Sequence, residues 1–239
     1  IVIIICLVVA GVAAYTQSDT VILKEVVINS ARTNISESQM LLPLQILDKN
    51  TMLFVKDVDI SSVLKDYSAV DIRQRSFSSV QSDISVRGGT FDQTMILING
   101  INLSDPQTGH HSLNLPINNS GLEAIEVVYG PGSRIFGANA LTGAVNFISK
   151  IPDKSGILLD LSYGSFNTLN SDIVLNHVAN KFNQTLNLSY SQSDGFTYNT
   201  DFLRLGAYYE NNFGVGKVRV KTMAGFINKA FGAYSFYSP

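Results

Sequence analysis

The residues best suited to chemistry in this sequence are a glycine-rich loop and a pair of histidines. The loop, Gly130 to Gly137, reads Gly-Pro-Gly-Ser-Arg-Ile-Phe-Gly and follows an apolar run, as phosphate-binding loops do. It lacks the Gly-Lys-Ser/Thr ending of a P-loop and the spacing of a dinucleotide fingerprint, so it does not indicate a phosphate site. His110 or His111 could join serines and aspartates in a hydrolase, but the sequence has neither a nucleophile elbow nor spaced metal ligands. We therefore expect no enzyme, no cofactor and no metal site.

The composition excludes several classes of partner and crosslink. Charged residues make up 15% of the 239 residues and the net charge is −2, so the basic stripe that a nucleic acid requires is missing. The single cysteine, Cys6, lies in an apolar N-terminal run, which leaves no internal disulfide and no cysteine metal cluster. The sequence thus predicts a protein that does not bind nucleic acid.

Two β-type runs flank the glycine loop within Leu122 to Lys150. In Ala124 to Tyr129, one face of the strand would carry Ile125, Val127 and Tyr129, and the other Glu126 and Val128. Ala144 to Ser149 is apolar enough to be buried on both faces. The loop glycines supply the positive φ angles that a compact turn needs. This stretch is therefore expected to organise a small buried sheet.

This stretch resembles the closing motif of the plug domain of TonB-dependent outer-membrane receptors. The matching residues are Ile125-Glu126-Val127, Gly130-Pro131, Ser133, Phe136-Gly137, Ala140, Gly143 and Val145-Asn146. A second family motif lies upstream at Ile84 to Gly88, followed by Met95 to Gly100, where many relatives have Asp-Gly instead of Asn-Gly. The resemblance is strong over about residues 60 to 150, and it is closest to the vitamin B12 branch and then to the siderophore branch.

The resemblance implies an α+β plug domain at residues 39–152, followed by antiparallel strands of a transmembrane β-barrel. Within the plug, a helix is expected to begin at a cap formed by Asp59 or Ser61. The expected strands are Val70 to Gln74, Gln81 to Val86, Met95 to Ile98, Ala124 to Tyr129 and Ala144 to Ser149.

Residues 153–239 show repeated alternation with one apolar and one polar face, which predicts five strands at about 156–164, 168–178, 181–193, 201–211 and 216–228. Tight connections at Ala179-Asn180 and 212–215 are expected on the periplasmic side of the membrane. The longer loop, Ser193 to Thr200, is expected on the extracellular side. The family resemblance implies a barrel of about 22 strands, so we expect an N-terminal fragment with an incomplete barrel. Aromatic residues near strand ends suit the girdles of a membrane barrel: Tyr163, Phe182, Tyr190, Tyr209 and Phe226.

The N-terminal residues are expected to direct export and energy coupling. Ile1 to Ala14 resembles the apolar part of a signal peptide, and the missing methionine and basic residues predict a truncated start. Residues 15–38 are expected to hold the TonB box and a linker. TonB would capture the box by adding it as a strand to its own sheet. The box residues are Asp19, Thr20, Val21, Ile22 and Leu23.

The resemblance also implies two groups of site residues. Arg87 and Arg134 would lock the plug to glutamates on barrel strands beyond Pro239, unless plug carbonyls or Glu126 satisfy them. Plug loops would face the ligand, although His110 and His111 could instead be solvated loop residues. The ligand-facing set is Asp92, Gln93, Asp105, Gln107, Thr108, His110 and His111.

The sequence therefore predicts a receptor that imports a scarce large nutrient, such as vitamin B12 or a ferric siderophore, through a Gram-negative outer membrane. The plug would lie in the barrel lumen with a periplasmic N-terminus, and the partners would be TonB, outer-membrane lipid and the small-molecule ligand. The alternative is a secreted β-rich adhesin or carbohydrate-binding module. That alternative leaves both motifs unexplained.

Overall fold

The computed structural model describes residues 27–28, 35–36, 43–54, 59–75, 80–104, 108–180, 182–234 and 236. Among these residues no helix is long and apolar enough to cross a membrane. The elements are β1 (Val27–Ile28), β2 (Ile35–Ser36), β3 (Leu44–Asp48), α1 (Lys49–Phe54), α2 (Ile60–Tyr67), β4 (Val70–Gln74), β5 (Ser82–Val86), β6 (Thr94–Ile98), β7 (Ile101–Asn102), β8 (Leu122–Tyr129), α3 (Ser133–Phe136), β9 (Gly143–Ser149), β10 (Gly156–Gly164), β11 (Thr168–Ala179), β12 (Phe182–Ser193), β13 (Phe202–Val215) and β14 (Val218–Phe231).

The N-terminal domain, β3 to β9 with its helices, is built on a mixed five-stranded sheet. The strand order is β3-β8-β9-β6-β7, with β6 and β9 parallel and the other pairs antiparallel. Every residue of β9 is buried, as the apolar run Ala144 to Ser149 predicted, because this strand lies in the middle of the sheet. Strands β4 and β5 pair with each other in a separate two-stranded ladder. The predicted mixed α+β domain is confirmed.

Helix α2 begins at the predicted cap. The Asp59 carboxylate accepts bonds from the Ser61 backbone N–H at 3.2 Å and from the Ser61 hydroxyl at 2.7 Å. Of the two candidate caps, Asp59 therefore holds the position, because it satisfies an N–H that has no partner inside the helix. Val63 and Leu64 turn inward from this helix and are fully buried.

The C-terminal sheet, β10 to β14, is an antiparallel meander. Its first three strands lie within one residue of the predicted bounds, whereas β13 and β14 end later than predicted, at Val215 and Phe231. The prediction of a tight connection at 212–215 is wrong, because β13 extends to Val215 and pairs there with Val218. Gly216, at φ +60°, and Lys217 make that turn instead. Glycine suits this position, since a side chain there would be strained.

The two faces of the C-terminal sheet are reversed relative to a water-soluble protein. Its polar face packs against the N-terminal domain, so that Asn187 is 1% exposed and Glu210 is 2% exposed. Its apolar face looks outward, with Leu161 61% and Leu205 41% exposed. Of the predicted girdle aromatics, Tyr190 is half-buried, and the exposed ones are Tyr163, Phe182, Tyr209 and Phe226.

The N-terminal predictions fall mostly outside the described residues. The leader at 1–14 and the box at Asp19 to Leu23 both lie there. Part of the predicted linker is structured, because Ile35–Ser36 pairs antiparallel with Val27–Ile28.

Candidate functional site

Two of the predicted ligand-facing segments meet in the structure. The turn Phe91–Gln93 carries an exposed Asp92, and the turn Gly109–His111 carries the two histidines. The rings of Phe91 and His110 lie 4.4 Å apart between centroids. Gly109 allows this approach, because a Cβ there would come within 2.3 Å of the Phe91 ring. We call this pair of turns the apical cluster.

A chain of polar contacts orients the His110 ring. Its Nδ1 lies 2.8 Å from the Asp83 carboxylate, which also pairs with Arg75 at 3.4 Å. Arg75 in turn donates to the Phe236 carbonyl at 2.9 Å. The side chain of His110 remains 32% exposed. His110 is thus a positioned ring with one accessible edge.

The other members of the apical cluster stabilise its backbone. Thr108 caps the second turn by accepting a bond from the His110 N–H at 3.3 Å. Gln93 accepts a bond from the Thr90 N–H at 3.2 Å, and Asp92 accepts one from the Thr90 hydroxyl. His111 is half-buried, while Asp105 and Gln107 lie outside the described residues. Ligand contact by these residues stays a prediction.

The apical cluster lies at the end of the C-terminal sheet that carries the longer loop, 194–201. Arg75 reaches Phe236 there, and Val80 packs with Phe202 and Phe236 in a small apolar cluster. Phe202 is the first residue of β13 and directly follows that loop. The cluster is therefore at the end predicted to face outward.

The two predicted lock arginines have different surroundings. Arg87 follows β5 at φ 52°, is exposed, and has its guanidinium carbon 5.9 Å from the centroid of the Tyr129 ring. Arg134 belongs to α3, and its side chain lies outside what the structure describes. The alternative partner Glu126 is buried and accepts a bond from the Asn146 amide at 3.0 Å. The lock to strands beyond Pro239 stays a prediction.

Asn99, in the turn between β6 and β7, contacts the C-terminal sheet directly. Its side-chain nitrogen lies 3.1 Å from a Glu210 oxygen and 3.2 Å from the Tyr208 hydroxyl. The same nitrogen lies 2.8 Å from the Ser149 hydroxyl, and Ser149 also donates to Glu210. Lys221 completes the group with an ion pair to Glu210 at 3.1 Å.

A second set of charges joins the domain to the sheet nearer the end that is predicted to face outward. Arg204 donates to the Leu115 carbonyl at 2.6 Å, and Lys229 donates to the Val80 carbonyl at 3.1 Å and to Asn114. Arg204, Leu115, Lys229, Val80 and Asp59 border a cavity of about 60 Å³. Burial raises the pKa of the Asp59 carboxyl, and the bonds from Ser61 and the charges of Arg204 and Lys229 oppose that rise.

Comparison with known families identifies the N-terminal domain. Residues 36–144 match the family model described as the TonB-dependent Receptor Plug Domain. This region is a TonB-dependent receptor plug domain. The plug domain is therefore the N-terminal domain of the fold, and the antiparallel strands that follow it form the C-terminal sheet.

Solved receptor structures share this arrangement of plug domain and strands. The ferripyoverdine receptor of the outer membrane of Pseudomonas aeruginosa, bound to ferripyoverdine, matches 85% of this chain and 27% of its own, with 15% identity and a TM-score of 0.71. The ferric citrate transporter FecA, unliganded, matches 81% and 32%, with 16% identity and a TM-score of 0.68. The open form of the ferric-catecholate import receptor Fiu from E. coli K12 matches 81% and 28%, with 20% identity and a TM-score of 0.62. This chain thus spans about a third or less of these receptors.

Sequence reasoning missed the residues that join the plug domain to the C-terminal sheet. The alternation along β13 puts Arg204, Tyr208 and Glu210 on its polar side, but the sequence does not show what they contact. The available signal was charge: Arg204 and Glu210 lie on a strand face that a domain covers, and a covered charge requires a partner. Asn99 carried no comparable signal, because asparagine is also the ordinary residue of a tight hairpin turn.

Proposed function

We propose that this chain is part of an outer-membrane receptor that imports a ferric chelate, with the plug domain inside the barrel lumen. The observation that carries the proposal is the reversed C-terminal sheet. Its polar face is buried against the plug domain, while leucines such as Leu161 and Leu205 point away from the protein. An outward apolar face is stable when lipid surrounds it. A secreted adhesin would instead be expected to expose a polar face to water.

The names of the three solved receptors support iron as the cargo. They are a ferripyoverdine receptor, a ferric citrate transporter and a ferric-catecholate import receptor. We therefore favour a ferric siderophore or another ferric chelate over vitamin B12. The apical cluster is the part of the plug domain that would meet this ligand, because it lies at the end predicted to face outward and exposes Asp92 and one edge of His110.

We further propose that TonB supplies the energy through Asp19 to Leu23. A β-branched segment of this kind can add its backbone to the edge of another sheet. The short ladder between Val27–Ile28 and Ile35–Ser36 lies between the box and the plug domain in the chain, so a pull on the box would reach this ladder first. No covalent chemistry is required of the receptor.

Uptake by cells that carry the complete gene tests the proposal. The cells receive radiolabelled iron loaded on pyoverdine, citrate or a catecholate, and labelled cobalamin in a parallel assay. We expect energised uptake of at least one ferric chelate, and loss of that uptake in an otherwise identical strain without TonB. Uptake of cobalamin alone would overturn the choice of cargo. Failure to take up any chelate, with the protein secreted into the medium, would favour the adhesin or carbohydrate-binding module.

A further inference from the structure

We infer that Asn99, Ser149, Tyr208, Glu210 and Lys221 form a clasp that holds the plug domain on the C-terminal sheet. The clasp joins a turn of the plug domain to two strands of the sheet, β13 and β14. Its function depends on a neutral amide at position 99 opposite the Glu210 carboxylate. The contacts stand on the geometry alone, whereas a role in holding a plug inside a barrel rests on the proposed function.

The turn that carries Asn99 is fixed within the plug domain. Asn99 and Gly100 have φ angles of 50° and 80°, the left-handed backbone that a two-residue hairpin turn uses and that asparagine and glycine tolerate. The Gly100 N–H donates to the Asn146 side chain at 2.9 Å. Asn146 donates in turn to the buried Glu126 at 3.0 Å. The sheet of the plug domain therefore sets the position of the Asn99 side chain.

The Asn99 amide makes contacts both within the plug domain and across to the C-terminal sheet. Its oxygen accepts from the Ser149 backbone N–H at 3.1 Å, which is a contact within the plug domain. Its nitrogen points to the Ser149 hydroxyl, the Tyr208 hydroxyl and the Glu210 carboxylate. An amide is the side-chain group that combines an acceptor and a two-proton donor at this length. Position 99 thus bridges the two parts of the molecule.

Glu210 is the anionic centre of the clasp. It is 2% exposed, and one oxygen accepts from the Tyr208 hydroxyl at 2.7 Å, while the other accepts from Asn212 at 2.7 Å and pairs with Lys221 at 3.1 Å. A buried carboxylate is stable only when its oxygens have donors. Aspartate at position 99 would replace the Asn99 donor with a second carboxylate at about the same place. Two like charges at hydrogen-bonding distance repel, so the clasp would loosen.

The exchange Asn99→Asp isolates this donor. Aspartate is nearly the same size as asparagine, tolerates the left-handed backbone, and retains an oxygen for the Ser149 N–H. The exposed Asn102 provides the matched control, because its side chain caps the Ser104 N–H at 2.8 Å, a contact that Asn102→Asp preserves. Glu210→Gln supplies the rescue, since it removes the charge that the introduced carboxylate would face and adds an amide donor.

The measurement is the rate at which urea releases the plug domain from the purified complete receptor. Backbone hydrogen exchange at Gly100 and Ser149 monitors the clasp in each variant. We expect Asn99→Asp to speed release on the order of tenfold, Asn102→Asp to leave it unchanged, and Asn99→Asp with Glu210→Gln to restore part of the loss. An unchanged release rate in Asn99→Asp would overturn the clasp. The clasp would also be overturned if the effect of the double variant on the release rate equalled the effects of Asn99→Asp and Glu210→Gln combined.

Two features keep the test decisive. If Glu210→Gln fails to fold because Lys221 loses its partner, hydrogen exchange in Asn99→Asp against Asn102→Asp still decides the question, and equal protection in the two would overturn the clasp. The readout needs no ligand and no TonB. A receptor that fails to import ferric chelates can therefore still show the clasp, and a receptor without the clasp can still transport.

Discussion

At the scale of residues, Pro116 of the plug domain packs directly on Gly225 of β14. A Cβ added at Gly225 would lie 2.6 Å from the Pro116 ring, which is too rigid to move aside. We predict that Gly225→Ala destabilises the complete receptor by about 1 to 3 kcal/mol, the usual cost of overpacking. Urea unfolding of the purified protein measures this change.

Gly214→Ala is the matched control, because a Cβ there meets no atom within 4 Å among the described residues. A Gly225→Ala midpoint equal to that of the control would mean that the Pro116 contact is loose.

His110 carries the second prediction at this scale. Its ring packs on Phe91 and is oriented by Asp83, so its exposed edge has a defined direction. We predict that His110→Ala weakens binding of the proposed ferric chelate by more than about 1 kcal/mol, as the loss of a well-packed contact does. Binding isotherms on the purified receptor measure it. His177→Ala, on β11, is the control, and equal affinities in the two variants would return His110 to a purely structural role.

At the scale of elements, local pattern was sufficient to predict most strands. The alternation from 156 to 231 has a period of two over long runs, and such runs have few other folds available. The N-cap of α2 was also predictable, because a cap depends on residues next to each other in the chain. The clasp was not, since Asn99 and Glu210 are brought together by the packing of the plug domain on the sheet. Strand β7 was missed because it has only two residues, and β3 because Leu44 to Asp48 lacks a clear apolar and polar alternation.

The predicted TonB box, Asp19 to Leu23, is the segment whose function is most open to test. We predict that Val21→Pro abolishes energised uptake while ligand binding is retained, because proline removes the N–H that a strand added to TonB would need. Val21→Ala keeps that N–H and should transport at a rate close to wild type. Uptake and binding assays on the same cells separate the two effects. Normal uptake by Val21→Pro would place the coupling segment elsewhere, with Lys24 to Ile28 as the next candidate.

At the scale of the whole molecule, the account depends on which surface of the C-terminal sheet meets lipid. The polar face, with Asn187 and Glu210, is covered by the plug domain, and the leucine-rich face is left outside. In a soluble module this outer face would promote aggregation, whereas in a membrane wall it is the stabilising surface. The plug domain and the C-terminal sheet are thus complementary: the plug covers the polar face, and in the proposed receptor lipid would cover the other.

Spin labels in the complete receptor, reconstituted in lipid bilayers, test this most directly. One label is attached at Leu205→Cys on the outer face of β13, and the other at Tyr198→Cys in the loop 194–201, where the native side chain is 81% exposed. We predict that dissolved oxygen, which concentrates in lipid, relaxes the label at 205, whereas a water-soluble nickel complex relaxes the label at 198. Equal relaxation of both labels by the nickel complex would contradict the account, because the leucine face would then lie in water.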